Sequence, residues 1–167
     1  MPFTPFHIVA GASVKSIAPK HFSWSVFTLT NILIDCEPLY YFFTTGELSH
    51  KFFHAIIGAS LIAIACATMG KPLCEFSLKL WNSSLEPDDK KWLGSEMKIS
   101  NLSAWIGAVI GAYSHLLLDS IMHQDMHPFN PFTDENQLLG ILGKMELHIL
   151  CLILLGAGGI IYFLKKF

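Results

Sequence analysis

The sequence predicts an all-α fold: an integral membrane helical bundle of about four spans plus a short N-terminal helix, in a single domain over residues 1–167. Composition is the first reason. Only 14% of the residues are charged and 52% are hydrophobic, whereas soluble domains carry about 25% charged residues. The mean hydropathy is +0.47. The second reason is the presence of four apolar runs near the length that crosses a bilayer, about 20 residues. The third is their content of Ala, Gly, Leu and Ile over lengths too great for buried strands.

The segment from Phe6 to Pro19 is too short for an ordinary crossing and is expected as a tilted or re-entrant helix, a form tolerated where it packs within protein. The first run, Phe22 to Phe43, contains Asp35 and Glu37. Pro38 favours an unwound backbone at Glu37. Acids at a helix C-terminus would meet the unfavourable end of the macrodipole, a conflict that a bound cation would resolve. The second run, Phe52 to Met69, has no Lys, Asp or Glu, and His50 and His54 stand at its start. Gly70 to Asn101 reads as a loop with an interfacial amphipathic segment and a polar turn, with Trp81 and Trp92 at headgroup level. The third run, Leu102 to Met122, is uncharged until Asp119, and the fourth, Leu147 to Leu164, ends in Lys165 and Lys166. Gly58, Ala59, Gly107, Gly111, Gly156 and Gly159 are expected to let helices approach closely.

Lysine placement orients such a bundle. With four alternating spans, both termini and the Gly70–Asn101 loop share one side, which holds every lysine except Lys51 and Lys144. The positive-inside rule puts that side in the cytoplasm. The opening residues lack a basic stretch before an apolar one and do not read as a cleaved signal peptide. The net charge of −2 and the absence of Arg, whose fork grips phosphates, argue against a nucleic-acid partner. Cys36, Cys66, Cys74 and Cys151 are scattered and are read as structural, with no disulfide framework.

Ionisable residues inside or at the edge of a membrane are functional candidates, because each costs about 2.5–3.5 kcal/mol on insertion scales. His115, Asp119 and His123 are spaced along one helical stripe, and Asp125 follows. His50 and His54 have helical spacing as well. Alternation of spans brings Asp35 and Glu37, His50 and His54, and Asp119, His123 and Asp125 to the same lysine-poor side. Mixed imidazole and carboxylate groups suit zinc, or manganese or iron, better than calcium or copper(I). One or two divalent ions are expected, and a pair would activate water for displacement at phosphorus. His7 joins only if the N-terminal segment enters the membrane. His21 and His148 read as structural or interfacial.

The stretches MPFTPFHIVAGASVK, NILIDCEPLYYFFTTGELSHKFFHAIIGA and GAYSHLLLDSIMHQDMHPFNPF resemble the YdjM-like, LexA-regulated, bacterial inner-membrane metal-dependent hydrolase family. The likeness covers most of the chain in the same order; the Gly70–Asn101 loop and the last run match only in general character. A more distant similarity is to zinc-dependent phospholipase C. That more distant similarity implies metal ligation by His7, Asp35, His54, His115 and Asp119, and His50, outside its pattern, is expected from its own position as a further ligand or a substrate contact. Here Asp35 follows Ile34 rather than the proline of that pattern, and Glu37 and His50 are additional. Glu37, His123 and Asp125 are the candidates for general base or for orienting a ligand. The expected activity is hydrolysis of a phosphoester or other lipid-associated substrate, small molecule or lipid, at the outer face of the bacterial inner membrane. The rival reading is a non-enzymatic cation carrier or sensor. A haem bundle fits poorly, since haem needs apolar surroundings and not several acids.

Overall fold

The computed structural model describes residues 4–166, and among these every regular element is helical. The order is α1 (Thr4–Ile17), α2 (Trp24–Thr45), α3 (Ile56–Ala65), a π turn (Cys66–Gly70), α4 (Lys71–Ser84), α5 (Lys90–Leu93), α6 (Asn101–Met122) and α7 (Lys144–Lys166). Helix α3 passes through the π turn into α4 without a break, forming one helix, Ile56–Ser84. The region after Gly70, expected as a loop, therefore stays helical to Ser84. Its Pro72 lies inside this continuous helix, directly after the π turn, a local irregularity of the kind at which helices absorb a break in their hydrogen-bond ladder.

Among the described residues, three helices are long and apolar enough to cross a membrane: Ile56–Ser84, Asn101–Met122 and Lys144–Lys165. Helix α2 has 22 residues, about 33 Å at 1.5 Å per residue. Thr30, Asn31, Asp35 and Glu37 keep its hydropathy below that of the other three. Its polar residues turn inward, with Thr30 and Asn31 fully buried.

Packing has the pattern of a membrane protein. The core is built from small residues, Ala59, Ala63, Ala104, Ala108 and Ala112, while Phe43, Met69, Phe163 and Leu164 lie exposed. In water such an outer surface would be a large apolar patch; facing lipid it is the expected arrangement. Gly107 and Gly111 let α6 approach the start of α2 closely. A Cβ on Gly107 would come within 2.5 Å of the Ser23 carbonyl oxygen, and one on Gly111 within 3.0 Å of that of Phe27. The expected roles of Gly156 and Gly159 do not hold, because a Cβ on either meets open space. Their neighbour Gly158 is the one pressed against the α1 backbone at Ala12 and Ser13.

Helix direction corrects the expected topology. Phe6 stacks on His148, Ser13 donates to the Leu154 carbonyl, and Lys165 donates to the carbonyls of Ser16 and Ile17. Helices α1 and α7 thus run parallel, from one end of the bundle to the other. Helices α2 and α6 also run parallel, starting together where the Ser23 amide donates to the Ser103 carbonyl. The described termini consequently lie at opposite ends. The lysine partition survives this change. Lys15, Lys20 and Lys98 line one cavity, and Lys71 reaches Asn101 at the same end.

Two further expectations fail locally. Pro38 does not unwind α2, which continues to Thr45 and closes on Gly46 in the left-handed region (φ 80°) with its N–H on the Phe42 carbonyl. Asp35 and Glu37 are therefore mid-helix and do not face a helix C-terminus. His50 and His54 precede α3 in non-helical backbone. A turn, with its Phe52 carbonyl pressed against Gly58, brings the two imidazoles together at 4.7 Å.

Candidate metal centre

The site is assembled at the end of the bundle opposite Lys15 and Lys98. Helix α6 supplies His115 and Asp119, one turn apart and both fully buried. Helix α2 supplies Asp35, and the turn before α3 supplies His54. One ligand-type atom from each of these four residues lies within 4.8 Å of the others.

The pairwise distances are informative. His115 Nε2 stands 3.1 Å from Asp119 Oδ2 and 3.2 Å from Asp35 Oδ1. His54 Nε2 stands 3.6 Å from Asp119 Oδ2 and 4.0 Å from Asp35 Oδ1. A tetrahedron with bonds of about 2.1 Å has edges of about 3.4 Å, so these separations bracket those of a four-coordinate ion. His54 Nε2, His115 Nε2 and both oxygens of Asp119 are buried without a hydrogen-bond partner. Buried polar atoms are ordinarily satisfied. Here His54 Nε2, His115 Nε2 and Asp119 Oδ2 lie together, and a divalent cation is a group that would satisfy the three at once.

Orienting contacts fix which imidazole nitrogen faces that point. Asn31 donates through Nδ2 to the Phe27 carbonyl at 2.8 Å, which turns its Oδ1 toward His115 Nδ1 at 3.0 Å. With the proton on Nδ1, the lone pair of His115 lies on Nε2. Glu37 does the same for His54. Its Oε2 accepts from His54 Nδ1 at 3.2 Å and from the backbone amides of Lys51 and Phe53 at 3.0 Å each. Such outer contacts set ligand tautomer and basicity. Burial works against a charge on His54, but the neighbouring carboxylate of Asp119 and the hydrogen bond to Glu37 outweigh it and raise its pKa.

His7 is brought in by α1. Its Nδ1 lies 3.1 Å from His115 Nδ1 and its Nε2 lies 3.3 Å from Asp119 Oδ1. It stands beside the four-residue group, against His115 and Asp119, and is not among the four atoms that lie within 4.8 Å of one another.

His50, His123 and Asp125 meet next to this group. His123 is the C-cap of α6, where extended backbone turns it off the His115–Asp119 stripe, while its amide bonds the Asp119 carbonyl. Burial lowers the His123 pKa. Burial would raise the Asp125 carboxyl, but the backbone amide and ring of His50 hold it below the usual carboxylate range. His21 is exposed, and His148 packs its ring edge-on against Phe6. The four cysteines are free thiols.

Residues 1–139 match the family described as Domain of unknown function (DUF4184). The chain belongs to the DUF4184 family. The matched stretch holds all nine candidate residues and ends before α7, so the DUF4184 region contains the centre while α7 is a flanking helix laid against α1. No curated protein and no solved structure matches the chain.

Asn31 is the functional residue that motif reading passed over. The available signal was an amide inside an apolar run, one helical turn before Asp35.

Proposed function

We propose that this DUF4184 chain is a membrane-embedded, metal-dependent hydrolase acting on a phosphoester or another lipid-associated substrate. The carrying observation is the convergence of unpartnered nitrogen and oxygen atoms from His54, His115 and Asp119, with Asp35 closing the set. Two buried imidazoles and two carboxylates suit zinc, with manganese or iron as the other candidates. When bound, the ion would supply Lewis-acid polarisation and a water acidic enough to ionise near neutral pH.

In this reading the chain contributes position and shielding. Asp35, His54, His115 and Asp119 hold the ion. Asn31 and Glu37 fix the tautomers of His115 and His54. His7 keeps Asp119 in place from the side of α1. The resemblance to the YdjM-like hydrolases supports the reaction class. The lysine partition supports a bacterial inner membrane orientation with the centre on the non-cytoplasmic face. A cation carrier would need ligand groups along a path to both ends, whereas the ligand-type clusters among the described residues gather at one.

The test is elemental analysis of the detergent-purified protein, paired with hydrolysis of a chromogenic phosphodiester. Stoichiometric transition metal and hydrolysis, both lost in Asp119→Ala, are expected. Metal-free protein that cannot be loaded with zinc or manganese would remove the proposal.

A further inference from the structure

A second set of ligand-type side chains meets at the same end of the bundle. His50, His123 and Asp125 each offer one atom, and these atoms lie within 4.8 Å of one another. They come from backbone that is not helical: the turn before α3, the C-cap of α6 and the segment after it. Three contacts hold that backbone in register. The Ile56 amide donates to the Pro128 carbonyl, the Gly140 amide to that of Ile121, and the Asn136 side chain to that of Ser120.

A hydrogen-bonded loop closure is the ordinary account of such a group, and it explains only part of this one. The His50 amide and ring Nδ1 both approach Asp125 Oδ2, at 3.0 and 2.9 Å. That contact places the His50 proton on Nδ1 and its lone pair on Nε2. His123 remains unexplained: its ring centroid lies 4.3 Å from that of His50, and its Nε2 is buried without a partner. A loop closure has no use for a buried, unpartnered imidazole nitrogen beside a carboxylate.

We infer that His50, His123 and Asp125 hold a second divalent transition-metal ion beside the buried centre and open to incoming substrate. Two imidazoles and one carboxylate form a donor set that leaves coordination positions free. Such positions belong to an ion that exchanges water or binds substrate. The surroundings agree. His50 lines a cavity of about 500 Å³ with Lys51 and Asn130, and His123 lines one of about 510 Å³ with Gln124 and Lys144. The two lysines that the sequence leaves at this end thus stand at the two openings beside the second group, where an anionic phosphate group would enter. His50 lies against His54, with ring centroids 4.7 Å apart, so the two ions would be neighbours. Paired ions of this kind clamp the attacking and leaving oxygens of a displacement at phosphorus. The inference makes His123 and Asp125 ligands rather than proton acceptors, and it rests on the metal-centre reading only for the pairing.

The experiment counts ions on the detergent-purified chain, stripped with a chelator and reloaded with Mn²⁺, by elemental analysis and electron paramagnetic resonance. The expected result is about two ions per chain with spin coupling between them, the stoichiometry of a two-metal site. His123→Gln and Asp125→Asn should each fall to about one ion and lose the coupling, with their gel-filtration profile retained. Asp119→Asn should keep the second ion. Wild-type protein holding a single ion that both substitutions leave in place would overturn the inference and spare the buried centre. Two ions surviving both substitutions would overturn it equally. A single ion lost in His123→Gln but kept in Asp119→Asn would uphold it and remove the buried centre. Protein that binds no Mn²⁺ at all would end both.

Discussion

The two ligand-type groups stand side by side and are built in opposite ways. Asp35, His115 and Asp119 project from helices, and His54 follows from a turn pinned by Glu37. His54, His115 and Asp119 are almost completely buried. His50, His123 and Asp125 sit on loop backbone and a helix cap, with Asp125 exposed. The first group has dedicated orienting partners in Asn31 and Glu37. The second orients itself, since Asp125 is both a ligand candidate and the partner of His50. Helix-borne, pre-oriented donors bind tightly and exchange slowly, because little has to be ordered on binding. Loop-borne donors near solvent suit the ion that must meet substrate. The contrast teaches that one end of a membrane bundle can carry two neighbouring ligand-type groups of opposite construction, one set by helices and the other by loops.

The comparison can be broken most directly at Asp119. Its two oxygens face His7, His54 and His115, so Asp119→Ala should abolish metal at the buried group. A loss well beyond the 10–100-fold caused by removing an orienting partner is expected, read by competition with a chromophoric chelator. Asn31→Ala and Glu37→Gln test orientation alone. Each should weaken the buried ion by about 10–100-fold and leave the second group unchanged. Equal weakening at both groups would show that the two are one site.

Acidification should discriminate further. Metal binding requires neutral imidazole, and Asp119 and Glu37 raise the pKa of His54. Metal binding at the buried group therefore competes with protonation of His54. Its apparent affinity should fall by about tenfold per pH unit for each proton displaced as pH drops. Asp125 behaves oppositely. Its pKa is depressed in the fold, so the His50–Asp125 contact contributes stability above the unfolded carboxyl value of about 3.9 and loses it as pH falls through the lower folded value. Between pH 7 and 5 metal release should track histidine protonation while this contact persists, which nuclear magnetic resonance titration of the His50 amide would follow.

Gly58 offers a smaller effect. A Cβ there would lie 1.8 Å from the Phe52 carbonyl oxygen. Gly58→Ala should push the turn that carries His54, destabilising the fold by about 1–3 kcal/mol and weakening the buried ion. The smallest change belongs to Gly159→Ala, which meets open space and should stay within about 0.5 kcal/mol in a thermal melt.

Much of this molecule was legible in its sequence, for identifiable reasons. Hydropathy and run length gave the helical class because lipid leaves the backbone few ways to satisfy its own hydrogen bonds. The His115–Asp119 stripe was legible because helical periodicity places residues four apart on one face. Lysine placement sorted the two ends, and that sorting outlived an error in the topology. The error itself concerned α1: fourteen residues are too few to announce a crossing by hydropathy, and packing on α7 is what carries α1 between the ends. Reading Pro38 as a break failed because the loss of one hydrogen bond can be absorbed by a helix packed along α6. The helical spacing of His50 and His54 led to the right neighbours through the wrong geometry, a turn in place of a helix.

The sequence by itself determined the donors and the end of the bundle where they gather. Residue type fixes what can bind a cation, and alternation of apolar runs fixes which ends meet. Only the tertiary structure decided how the donors divide into a buried four-residue centre and a more open three-residue one. That division depends on imidazole orientation, set by Asn31 and Glu37 at one group and by Asp125 at the other. Such long-range contacts leave no periodic trace along the chain.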